Sequence, residues 1–253
     1  MKILKVIAFV LIILIFLSVS CYAAAPSSWY LVKHGNKAPG FPQNENFVSS
    51  HGGICMDKKS YENKDKVLYL TFDAGYENGN VSKILDIMKE EGVTGAFFIL
   101  SNIINKNPEV VKRMADEGHL VCNHTSDHSN VSADVDNMLN NLSALEEKYE
   151  LCTGLKMEKL FRFPEGKYTE DAILKLESAG YKTVFWSMAY DDWDNSRQPS
   201  ADAALKKLLD TTHEGAIVLL HPTSSTNVEI LPSLIKEWKS RGYRIGSLLD
   251  ICK

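Results

Sequence analysis

The chain has 253 residues, a formal net charge of −4 and 45% hydrophobic residues, enough for one domain with a sizeable core. No basic tract occurs, so the electrostatic footprint of a nucleic-acid partner is missing. Five cysteines without a C-x-x-C pair argue against both a disulfide framework and a sulfur-ligated metal.

The first 25 residues place Lys2 and Lys5 before an apolar run over 6–17 and small residues at 23–25. This is the layout of a secretory signal peptide; an uncleaved membrane anchor and a buried helix are the alternatives. Cys21 invites a lipoprotein reading, which Ser18 three positions earlier fits poorly. Removing residues 1–25 leaves 228 residues with a charge of about −6, and Cys55, Cys122, Cys152 and Cys252 as mostly buried thiols. Residues 26–65 are rich in Pro, Gly, Asn, Lys and Ser, and form an irregular lead-in.

From residue 66 the pattern alternates. KVLYLTFD predicts a strand, 80–92 a helix through Val81, Ile84, Leu85 and Met88, and TGAFFIL a second strand. Residues 103–117 predict a helix stopping at Gly118, HLVCN a strand, 131–150 a long polar helix, and EKLFRF a strand. Residues 169–180 predict a helix capped by Thr169 and ended by Gly180. KTVFWSM, AIVLL and YRIGSL predict strands, separated by helices over 201–215 and 226–242. Strands alternating with such helices imply an α/β fold, a closed or nearly closed barrel of about seven parallel strands spanning 66–253.

In such barrels chemistry gathers at the carboxyl ends of the strands. Asp73 follows LYLTF, His124 and His128 follow LVCN, and Arg162 ends KLF. Asp191 and Asp192 follow VFWSMAY, and His221 follows IVLL. In H-T-S-D-H two imidazoles four residues apart can face one divalent ion if the segment turns helically; two histidines on a surface turn are the plain alternative. Asp73 is a further ligand, a general base or the start of a turn. A guanidinium at 162 would be buried unless paired, and Asp73 is its natural partner. His221 is a core histidine, or a general acid if Asp192 accepts from its ring.

The order TFDAG, HTSDH, RFPEG, DDW, LLH resembles the polysaccharide deacetylases of the NodB-homology type, carbohydrate esterase family 4, over about 66–253. The resemblance implies a distorted (β/α) barrel and metal-dependent hydrolysis of N-acetyl groups on amino sugars. It makes Asp73 the base, His124 and His128 metal ligands, Arg162 the residue orienting the base, and His221, with Asp192, the acid. Glu165 would lend its backbone N–H to an oxyanion hole, and Trp193 and Tyr76 would meet substrate. One divalent ion is implied, zinc being the usual choice in the family.

Ala74 departs from the family's TFDDG, whose second aspartate is the carboxylate ligand. TFD-x-GYENG resembles the muramic-acid deacetylase branch, which also lacks that aspartate and serves muramic δ-lactam formation in spore cortex. The expected partner is therefore the glycan strand of peptidoglycan, outside the cytoplasm, with no nucleic acid and no obligate protein partner. Deacetylation of N-acetylglucosamine, in peptidoglycan or chitooligosaccharides, is the alternative activity, and a glycan-binding pseudoenzyme is the alternative class.

Overall fold

The structure, a computed structural model, describes residues 25–32 and 38–252. The expected signal peptide, but for its last residue, lies outside them. The lead-in is less irregular than its composition predicts. It holds β1 (Ser27–Ser28), α1 (Glu45–Ser50), β2 (Gly53–Ile54) and α2 (Lys58–Asn63), each too short to show a period. Asp57 starts α2 by accepting a hydrogen bond from the Ser60 N–H at 3.0 Å.

Then come β3 (Val67–Ala74), α3 (Val81–Glu90), β4 (Ala96–Ile99), α4 (Ser101–Lys106), α5 (Pro108–Asp116) and β5 (Leu120–Asn123). The single helix expected over 103–117 is two, because Pro108 forces Asn107 out of helical geometry, to φ −139° and ψ 56°. The chain continues through α6 (Val135–Thr153), β6 (Glu158–Phe161), β7 (Lys167–Tyr168), α7 (Glu170–Ser178) and β8 (Lys182–Val184). Thr169 caps α7 by accepting from the Ala172 N–H at 3.2 Å. Last are α8 (Ala201–Thr211), β9 (Ala216–Leu220), α9 (Ser225–Ser240) and β10 (Arg244–Ile245).

Eight strands form one sheet in the order β10-β3-β4-β5-β6-β8-β2, with β9 also on β3. Every pairing in it is parallel. Beyond β8 the chain bridges Met188 to Val218 of β9, which curls the sheet into a distorted (β/α) barrel. Among the described residues no helix is long and apolar enough to cross a membrane.

The two-residue period of β3 positions the site. Leu68, Leu70, Phe72 and Ala74 pack outward with Ile84, Leu231 and their neighbours on the helices. Val67 and Tyr69 pack inward with Phe98, Cys122, Val184 and Ile217. Burying each large apolar side chain contributes about 1.5–3 kcal/mol, so the register is strongly fixed. Asp73 continues the inward row to the barrel mouth, while Ala74, fully buried, belongs to the outward one.

Candidate active site

Arg162, just beyond β6, is wholly buried yet fully paired. Its Nη1 donates to Asp73 Oδ1 at 2.8 Å, Nη2 to Thr71 Oγ1 at 2.9 Å, and Nε to the Val184 carbonyl at 3.0 Å. The guanidinium lies 4.1 Å from the centroid of the Phe98 ring. Burial alone would raise the Asp73 pKa, but the charge of Arg162 foremost holds the carboxyl below its usual range.

His124 follows β5. Its Nδ1–H donates to the Arg162 carbonyl at 2.8 Å, which leaves Nε2 unprotonated in the neutral ring, 3.6 Å from Asp73 Oδ2. Burial lowers its pKa to about 4, despite the opposing charge of Asp73. His124 and His128 lie 5.2 Å apart by ring centroids. The segment between them does not make the helical turn that facing one ion was expected to require. Thr125 and His128 take left-handed φ of 74° and 62°, and the His128 N–H donates to Thr125 Oγ1 at 2.9 Å. Asn123 and Asn141 hold this turn by accepting from the Thr125 and Ser126 N–H groups at 2.9 and 2.7 Å.

Across the mouth, Asp192 is completely buried and accepts three bonds. They come from His221 Nδ1 at 2.8 Å, the His221 backbone N–H at 2.7 Å and Asn227 Nδ2 at 2.6 Å. Burial works against a charged His221 ring, but the hydrogen bond and charge of Asp192, helped by Asp73, raise its pKa above the ordinary value.

These groups share a cavity of about 810 Å³ lined by Asp73, His124, His128, Glu165, Trp193 and His221, among others. A smaller lobe of about 240 Å³ adds Tyr76 and Leu100. Glu165 sits left-handed at φ 56°, its side chain 60% exposed and turned to Lys167 at 2.6 Å. Gly166 follows at φ 64°, and a Cβ there would meet Trp186 at 2.9 Å and Trp29 at 3.0 Å. Trp193 and Tyr76 are exposed beside the cavity, and Asn195 donates to the Tyr76 hydroxyl at 2.6 Å. Asp191 stays at the solvent edge, 90% exposed and 4.0 Å from Lys207.

A neutral imidazole nitrogen facing a carboxylate oxygen sets two acceptors together, which fits a divalent ion held by His124 and His128 beside Asp73. Among the described residues no three His, Cys, Asp or Glu side chains form a ready metal group, and Ala74 offers no donor atom. Such an ion would keep open positions for water or substrate.

Residues 60–184 match the polysaccharide deacetylase family model. The peptidoglycan-N-acetylmuramic acid deacetylase PdaA of Bacillus subtilis is 37% identical over 74% of this chain and 72% of its own length. The chain belongs to the polysaccharide deacetylase family. A peptidoglycan-N-acetylglucosamine deacetylase of Bacillus cereus is also similar, 32% identical over 76% of this chain and 90% of that protein. The solved structure of Bacillus subtilis PdaA, a family 4 carbohydrate esterase, superposes with a TM-score of 0.82 at 33% identity, covering 89% of this chain and 96% of that one. This polysaccharide deacetylase is therefore a hydrolase on the barrel of carbohydrate esterase family 4. Sequence reasoning missed Thr71 and Asn227, whose contacts to Arg162 and Asp192 span 91 and 35 residues. It also overlooked the cavity-lining Trp186 and Lys207, which no motif marks.

Proposed function

We propose that this deacetylase hydrolyses the acetamide of N-acetylmuramic acid residues in peptidoglycan, releasing acetate and leaving a free amine. The observation that carries the chemistry is the pairing of opposite protonation states in one cavity, with Asp73 held ionised by Arg162 and His221 held protonated by Asp192. Asp73 takes a proton from the attacking water while Arg162 fixes its orientation. His124 and His128 would hold a divalent ion, zinc by family habit, which when bound polarises the acetyl carbonyl and acidifies the water. The Glu165 N–H, presented by a left-handed turn at the cavity, stabilises the developing oxyanion. His221 protonates the departing amine, and Asp192 holds the ring in place. Trp193 and Tyr76 offer apolar faces to the sugar.

The muramic reading is supported by the similarity to PdaA and by the TFDAGYENG stretch. Residues 1–25 would direct the enzyme out of the cytoplasm, to its polymer. A free 2-amine beside the lactyl carboxyl of the same residue can close a lactam, a step towards muramic δ-lactam in spore cortex. The assembled acid and base argue against a pure binding module. The test is product analysis of glycan strands incubated with enzyme and zinc, then digested to disaccharides. Deacetylated muramic acid or its lactam supports the proposal; glucosamine beside intact N-acetylmuramic acid moves the activity to the other sugar; no acetate at all favours binding without catalysis.

A further inference from the structure

The five residues GYENG distinguish the loop after β3, yet only Tyr76 of its side chains stands exposed beside the cavity. The rest turn to other work. Asn80 occupies the N-cap position of α3 without capping it. The Glu77 carboxylate does so instead, accepting from the Val81 N–H at 3.1 Å, the Ser82 N–H at 2.8 Å and the Ser82 hydroxyl at 2.7 Å. Gly79 at φ 92° makes the tight return this needs, in open space where only conformation demands glycine.

With the cap supplied by Glu77, both asparagine amides are free to reach across the barrel mouth. Asn78 Nδ2 donates to the Thr223 carbonyl at 2.9 Å, and Asn80 Nδ2 donates to the same oxygen at 2.8 Å. Asn78 Oδ1 accepts from the Asn80 N–H at 3.2 Å, so the two amides are set as one unit. Thr223 lies two residues beyond His221, in the turn where the Ser224 N–H donates to the His221 carbonyl at 3.1 Å. The Tyr76 hydroxyl meanwhile holds Asn195, three residues beyond Asp192. One loop beginning at Asp73 therefore grips both loops that carry the His221–Asp192 pair.

We infer that Asn78 and Asn80 are positioning residues that fix the distance between Asp73 and His221 through the Thr223 carbonyl, and that the loop beyond Tyr76 acts as a brace between loops, leaving Tyr76 alone of its side chains to face the sugar. Given the roles proposed above for Asp73 and His221, a lost brace misplaces acid against base. Displacements of about 1 Å cost on the order of 100-fold in rate.

The test uses the full chain loaded with zinc. Asn78→Ala and Asn80→Ala should each lower kcat about tenfold, and the double variant about 100-fold, with KM and the preference between N-acetylmuramic and N-acetylglucosamine substrates unchanged. Asn78→Asp keeps the shape and the acceptor for Asn80 but replaces the donor, so it should behave as Asn78→Ala even if the alanine loop is disturbed. Melting temperatures should stay within about 4 °C of wild type. A raised KM or an altered sugar preference with kcat intact would make the loop a substrate reader and overturn the inference. Loss of activity only in step with loss of folded protein would overturn it too. One readout needs no turnover: the ring-nitrogen NMR signals of His221 should move in the double variant. Unmoved signals contradict the brace, whereas signals that move in the double variant while the wild type releases no acetate count only against the proposed activity.

Discussion

His124 and His221 face one cavity with the same ring and the same tethered nitrogen, and they are driven in opposite directions. His124 gives its Nδ1–H to a neutral carbonyl, and burial leaves it uncharged down to about pH 4. His221 meets a wholly buried carboxylate, whose charge outweighs the burial and favours the imidazolium. The partner on Nδ1, not the ring, decides which histidine stays a neutral nitrogen donor and which favours the imidazolium. Because each partner is itself locked, Arg162 by four donated hydrogen bonds and Asp192 by three accepted ones, the two states are built in before substrate arrives.

The strongest way to break this contrast is to remove the proposed acid. His221→Gln should lower kcat by about 10³-fold, measured as acetate release, with the far-ultraviolet circular dichroism unchanged. A milder change makes the two sites alike. Asp192→Asn gives His221 a neutral partner, so its raised pKa falls; as the proposed mechanism uses the protonated ring, the high-pH limb of the kcat profile should move to lower pH. We expect about tenfold lower kcat at neutral pH, and an unmoved limb would show that His221 is not the group titrating there.

The His124 side can be sharpened instead. Ala74 packs in the outward apolar row, so Ala74→Asp buries a carboxylate that should destabilise the metal-free protein by about 3 kcal/mol. Zinc should recover more stability in this variant than in wild type, in melts with and without the ion, if residue 74 can reach the two-histidine site. Equal zinc affinity in both proteins would mean either that the outward-facing position 74 does not reach the site or that another group already completes it. The smallest effect should come from Glu165→Gln. That side chain is largely exposed and, among the described residues, pairs only with Lys167, so kcat should change by less than about twofold if its backbone N–H alone contributes.

Much of this was legible because apolar strands announce where they end. Asp73, His124, Arg162 and His221 each follow a buried run, and the pairing of Asp73 with Arg162 follows from the cost of an unpaired buried guanidinium. Local exceptions were harder. The H-T-S-D-H turn gathers its histidines through left-handed Thr125 and His128, a geometry that the four-residue spacing does not announce. The two-residue β2 joins the sheet only through its pairing with β8 and carries no period of its own. Least visible were side-chain bonds between distant segments, such as Asn78 and Asn80 to Thr223, 145 and 143 residues apart. Nothing in an asparagine's neighbours says which carbonyl it will find.

The central claim is the opposed protonation of two histidines in one cavity, and titrating their ring nitrogens by NMR in the metal-free protein tests it most directly. His221 should remain protonated above the ordinary histidine pKa, while His124 stays neutral until about pH 4. A His124 that protonates before His221 as the pH falls would contradict the account.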